Sequence, residues 1–142
     1  KWLSLSFNYF QEFILENSSI ETLLITNNDI VSFDTSKAPS LRFLNVGTNN
    51  IEHLNFTKNI LLENLFFSGN KLETINLDLN VNLKYIYCSN NLLKAFDVSK
   101  LFKLIDLRID RNTSLNCIRV KENQYIPTII MSAYQEINVN CN

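Results

Sequence analysis

The 142-residue sequence is long enough for one domain with a continuous buried core, and at 46% apolar and 19% charged it is neither disordered nor fibrous. Thirteen basic and fourteen acidic side chains leave a formal net charge of −1, so no overall field draws in nucleic acid or an anionic membrane. No apolar run approaches the roughly 20 residues that a membrane-spanning helix needs. Against only two Gly and two Pro stand 22 Asn, an excess that asks for a repeated structural cause.

The chain opens at Lys1 with no initiator Met and no apolar leader, directly on an alternating segment. Leu3, Leu5, Asn8, Phe10, Phe13 and Leu15 form a loose first copy of a pattern that then recurs every 21 residues. Ile20, Leu41, Leu62, Leu83 and Leu104 head five further copies. Three residues on stand Leu23, Leu44, Leu65, Ile86 and Leu107, followed after two by Ile25, Val46, Phe67, Cys88 and Ile109. Asn28, Asn49, Asn70, Asn91 and Asn112 come three residues later. The xLxLx part alternates as a strand with one buried face must, and strands are predicted near 23–25, 44–46, 65–67, 86–88 and 107–109. A single copy cannot bury its apolar face alone, whereas stacked copies make a continuous core. At the turn leaving each strand, a buried Asn amide can donate to and accept from backbone that has left the ladder, so Asn8 and the five-fold Asn column are read as structural. One residue is inserted after Asn112, and Leu115, Ile118 and Val120 finish the last copy one position late.

The unit LxxLxLxxNxLxxLxL resembles the leucine-rich repeat. Within it, Tyr87-Cys88-Ser89-Asn90-Asn91 followed by Leu93, Phe96, Asp97, Val98 and Ser99 is similar to the short-repeat surface proteins of Bacteroidota. The resemblance covers about residues 3–142. It implies an α/β-type repeat solenoid with a parallel sheet on the concave face, few helices, and short strands or turns on the convex face. Residues 1–120 are then about six repeats, the first incomplete, and 121–142 a C-terminal cap. Proteins of this kind usually end in L-x-C-I-x-V with a second Cys some two dozen residues later. Leu115-Asn116-Cys117-Ile118-Arg119-Val120 and Cys141 match, which implies a Cys117–Cys141 disulfide over the end of the solenoid and hence an oxidising compartment, the cell surface or outside. In the cap, Ile126 to Tyr134 with Pro127 in its first turn is expected to form a short helix, and Glu136 to Asn140 an edge strand. No comparable cap precedes Lys1, and the sequence is read as part of a longer chain.

Candidate chemistry is sparse. Cys88 lies in an inward apolar column and is expected to be buried and inert. His53, the only histidine, falls on the convex half, without a second soft ligand in phase or a serine within reach on the same face. The Asp residues are scattered over different phases, and Gly47 and Gly69 cannot build a phosphate loop. Asn17, Asn55 and Asn112 match the glycosylation acceptor pattern, a match that arises by chance in so Asn-rich a chain. No catalytic residue, cofactor or metal is expected.

Function is instead expected on the outward strand positions. Trp2, Phe43, Phe66, Tyr85 and Tyr87 stand there although the fold requires no aromatic at any of them, and Arg108 and Asp110 close one end together with Asp106 and Arg111. Two readings fit the rings: a recognition strip, expected to be solvent-exposed and replaceable at little cost to folding, or a shield over a parallel sheet. The charged end reads as solvated surface more than as contact. The expected function is a non-enzymatic recognition or adhesion module for a protein partner or outer-membrane assembly. A glycan-binding accessory protein and a cytosolic scaffold with reduced cysteines are the alternatives; nucleic acid is not an expected partner.

Overall fold

The computed structural model describes residues 1–141 as a stack of coils, each contributing one short strand to a common sheet. The strands are β1 (Trp2–Ser4), β2 (Glu12–Ile14), β3 (Thr22–Leu24), β4 (Ser32–Asp34), β5 (Phe43–Asn45), β6 (Asn64–Phe66), β7 (Tyr85–Tyr87), β8 (Phe96–Asp97), β9 (Asp106–Arg108), β10 (Cys117–Arg119), β11 (Thr128–Ile130) and β12 (Glu136–Asn138). A seven-stranded parallel sheet runs β1-β3-β5-β6-β7-β9-β11. The opposite side carries the two-stranded sheet β2-β4, the three-stranded sheet β8-β10-β12 and an isolated bridge from Ser32 to His53. In the large sheet each residue faces its repeat equivalent, as in Phe43↔Asn64↔Tyr85↔Asp106.

The α/β expectation is corrected: among the described residues there is no helix, and the fold is all β. The segment after each ladder Asn places its apolar side chains at spacings of three and then two, as in Leu93, Phe96 and Val98, which does not sustain a helical stripe. Asp34, Asn55, Asn76 and Asp97 then accept a hydrogen bond from the backbone N–H two residues ahead, an Asx turn that competes with helix. The short helix expected at 126–134 does not form either. Its Thr128–Ile130 adds to the large sheet beside β9, where Ile129 pairs with Leu107, while Glu136–Asn138 supplies the expected edge strand.

The inward columns are filled completely. Leu23, Leu44, Leu65, Ile86 and Leu107 are buried, as are Ile25, Val46, Phe67, Cys88 and Ile109. Each such side chain removed from water contributes about 1.5–3 kcal/mol, so a continuous row through the coils holds the stack together.

The Asn column works as two-sided glue. Asn70 Nδ2 donates to the Val46 carbonyl of the preceding coil at 3.1 Å and to its own Phe67 carbonyl at 3.0 Å, and its Oδ1 accepts the Ile51 N–H at 3.0 Å. Asn49, Asn91 and Asn112 repeat this set one coil apart. Because these amides take the carbonyls of Ile25, Val46, Phe67 and Cys88, each regular strand ends one residue earlier than the alternation predicts. Asn8, on the first coil, is exposed and donates only to its own coil, at Leu5 and Ser6. The residue before each ladder Asn has positive φ: Phe7, Asn27, Thr48, Gly69, Asn90 and Arg111. This left-handed turn sends the chain off the sheet, and only at Gly69 is it free of the cost an L side chain incurs there.

A second amide ladder runs on the far side. Asn59 donates to the Thr35 and Ala38 carbonyls and Asn80 to those of Phe56 and Asn59, and both side chains are buried. The last coil uses glutamine for both ladders. Gln124 reaches Val98 and Leu101, and Gln135 reaches Ile109, while each side-chain oxygen accepts an N–H from its own turn, at Lys121 and Ser132. Replacing Asn70 by Ala leaves the buried Ile51 N–H without its acceptor and takes one of two amide donors from each of the Val46 and Phe67 carbonyls, whose other donors are Asn49 and Asn91. Chemical denaturation is expected to show a loss of about 1–3 kcal/mol, and a loss within error would contradict the role assigned to the ladder.

Candidate functional site

Parallel pairing in register lines up the outward side chains of the large sheet about 4.8 Å apart, and sequence decides what each line contains. From β5 to β9 the rings and a guanidinium form one continuous pile. Phe43 meets Phe66 edge-on, with centroids 5.2 Å apart and planes at 82°. Phe66 lies flat on Tyr87 at 4.2 Å and 8°, and the Arg108 guanidinium carbon sits 4.2 Å from the Tyr87 centroid. Stacked and edge-to-face rings each contribute about 0.5–1.5 kcal/mol beyond their burial, and a cation over a ring about as much.

The charged end is tied into the pile. Tyr87 donates its hydroxyl to Asp106 Oδ2 at 2.9 Å, and Arg108 reaches the same oxygen at 3.2 Å. Asp106 is buried, and its second oxygen has no partner among the described residues. Burial first, and then the hydrogen bond to Asp106, push the Tyr87 phenol above its ordinary value. One position further along, Ser89 donates its hydroxyl to Asp110, whose other oxygen takes the Arg111 guanidinium at 2.8 Å. The Ser89 hydroxyl is the main reason the Asp110 carboxyl lies below the usual carboxylate range, with Arg111 adding to it. Beside the pile, Thr26, Asn45, Gly47, Thr48 and Ser68 line a shallow polar notch. A side chain at Gly47 would press on Asn45 Oδ1 and the Ser68 carbonyl, both 3.2 Å from its Cβ, so the notch depends on that glycine.

Of the sequence-predicted site residues, the structure brings together Phe43, Phe66, Tyr87 and Arg108, with Asp110 in the adjoining column. Tyr85 shares the face but pairs with no other ring; its column neighbours are Asn64 and Asp106. Trp2 is exposed on β1, two strands from Phe43 with Thr22 between them, and stands apart from the pile. Phe66, Tyr85 and Tyr87 are half-buried rather than open to solvent, the first and last because their faces are stacked. Tyr87 is also more than a ring on a surface, since its hydroxyl serves a buried carboxylate. That bond links side chains 19 residues apart on neighbouring strands, and the alternation alone gave no sign of it.

Cys117 and Cys141 are joined in a disulfide, with Cα atoms 5.6 Å apart, tying β10 to the segment beyond β12. Cys88 is buried and free, and burial raises its thiol well above the ordinary value. His53 lies on the convex side. Among the described residues no group of three His, Cys, Asp or Glu side chains is gathered to hold a metal ion, and no helix is long and apolar enough to cross a membrane.

No protein-family model matches the sequence, and neither does any curated protein. Similarity lies in solved structures. The functional domain of InlJ from Listeria monocytogenes, described as including a cysteine ladder, superposes with a TM-score of 0.79 over 96% of this chain at 20% identity. A leucine-rich-repeat protein of Leptospira interrogans superposes with a TM-score of 0.70 over 92% of the chain at 24% identity. The chain has the leucine-rich-repeat fold. It spans 35% of the InlJ structure and 41% of the Leptospira one. In leucine-rich-repeat terms the pile occupies the concave sheet, whose outward positions the solenoid does not need for its own core.

Removing the phenol oxygen alone separates the two jobs of this residue. Tyr87→Phe keeps the ring stack but leaves Asp106 to Arg108, and thermal or chemical unfolding is expected to report a loss of about 1–3 kcal/mol. An unchanged midpoint would mean that Asp106 does not depend on the hydroxyl.

Proposed function

We propose that this chain is a non-enzymatic recognition module that binds a protein partner through its concave sheet. The observation that supports this is the Phe43–Phe66–Tyr87–Arg108 pile, a half-buried aromatic row held rigid by stacking and by Asp106 on a face the core does not require. Ordered aromatics and Arg are the side chains that dominate protein hot spots, because little freedom is lost when a partner covers them. The arrangement favours protein over sugar. A sugar ring stacks on an open aromatic face, whereas here Phe66 is held between Phe43 and Tyr87, and Tyr87 between Phe66 and Arg108. The edges of the rings and the adjoining notch remain to meet an apolar side chain and its backbone. His53, the sole imidazole that could activate a nucleophile, lies on the side opposite the pile.

A random-peptide library selected on the chain provides the test. Binders are expected to lose tenfold or more in affinity with Phe43→Ser and to be unaffected by Glu52→Gln on the convex side. Binders indifferent to Phe43→Ser, or retention by a glycan array that Phe43→Ser abolishes, would overturn the reading.

The Cys117–Cys141 bond supports placing the module in an oxidising compartment, at the cell surface or outside the cell, where it can serve a partner protein or an outer-membrane assembly. A thiol count on unreduced, denatured protein from its native source is expected to give one, Cys88. Three would favour a cytosolic scaffold.

A further inference from the structure

One flank of the solenoid carries a surface that the concave site does not use. Between the convex path and the next strand, each interior coil makes two consecutive tight turns, closed by backbone bonds such as Asn80 N–H to Leu77 and Leu83 N–H to Asn80. Turn tips normally carry polar residues or Gly and Pro. Here the second turn presents Ile60, Val81 and Phe102 in successive coils, 51%, 45% and 63% exposed, and the first turn of one coil adds Leu79 at 55%. Repeat spacing sets the three in a straight row about 4.8 Å apart, continuing from Pro39. They protrude; nothing in the core depends on them.

The same turns concentrate positive charge. Residues 36–42, 57–63, 78–84 and 99–105 hold Lys37, Arg42, Lys58, Lys84, Lys100 and Lys103 against Glu63 and Asp78, a net +4. The first coil's equivalent turn, residues 15–21, adds Glu16 and Glu21 and brings the flank to +2, and four of its cations are ion-paired: Lys37 with Glu16, Arg42 and Lys84 with Glu63, and Lys100 with Asp78. Lys58 and Lys103 have no carboxylate partner among the described residues, and Lys121 sits 5.3 Å from the Phe102 ring centroid.

We propose that this flank is a docking surface for an anionic lipid bilayer. A protruding row of aliphatic side chains and a phenylalanine, set among lysines, is the composition that enters the boundary between headgroups and acyl chains while its cations meet lipid phosphates. A second copy of the chain is disfavoured as occupant, because like charges would face one another. The surface is separate from the concave pile and stands or falls independently of it.

The test is co-sedimentation of the chain with vesicles of phosphatidylcholine alone and with vesicles of phosphatidylcholine mixed with phosphatidylglycerol. Binding is expected only to the mixed vesicles. Lys58→Gln and Lys103→Gln should each weaken it about fivefold, and Phe102→Ser about tenfold, while Lys71→Gln, off the flank, leaves it unchanged. The unfolding midpoint of each variant is measured alongside and should stay near that of the parent, since the altered side chains are exposed. Absence of binding to mixed vesicles overturns the proposal, as does equal binding to both kinds or an equal loss with Lys71→Gln. Retention on polyglutamate without vesicle binding would assign the flank to an acidic protein segment instead, and would also overturn it.

Discussion

Everything in this structure depends on a backbone that leaves its sheet once per coil without stranding its polar groups. A strand of three residues cannot satisfy the carbonyls just beyond its end, and these lie inside the stack, where each unpaired group would cost about 1–3 kcal/mol. One buried asparagine per coil meets that demand with three bonds, two of them to the neighbouring coil. The amide is suited to this because it donates and accepts on one short stem. The left-handed residue before it turns the chain, and the amide then takes the carbonyls that the turn has freed.

With the exits satisfied, the inward columns can be purely apolar, and the outward ones are not needed to fill the core. That division explains why chemistry of two kinds sits on one small scaffold. The concave sheet carries stacked rings and a guanidinium, while the turns on one flank carry protruding apolar residues among lysines. Neither feature contributes to the core, and neither is produced by the repeat itself.

The sequence made the coil period, the inward columns and the first ladder legible, because each is a pattern at fixed spacing, and the cysteine pairing through the resemblance of its C-terminal segment to the caps of short-repeat proteins. Other features were hidden for identifiable reasons. The second ladder occupies only Asn59 and Asn80 of a column that also holds Ala38 and Leu101, too few to show as a period. The expected helix at 126–134 rested on Pro127 and an apolar run, but edge pairing with β9 offered Thr128–Ile130 a ready-made partner strand. The union of Tyr87 with Asp106 is a diagonal contact between strands, and no one-dimensional pattern encodes it. The basic flank escaped because averaging charge over the whole chain cancels it.

The glutamines of the last coil have a consequence for how such a molecule can change. Asn49, Asn70 and Asn91 form interchangeable interfaces, whereas Gln124 and Gln135 still donate to the preceding coils but accept from their own turns, and so finish both ladders. An interior 21-residue unit can therefore be duplicated or deleted with every neighbouring bond re-formed and the terminus untouched. Unequal recombination within the gene would lengthen or shorten the solenoid in whole coils. Each such event would insert or remove one rung of the aromatic row and one turn of the basic flank together, so the two surfaces are bound to diversify in step.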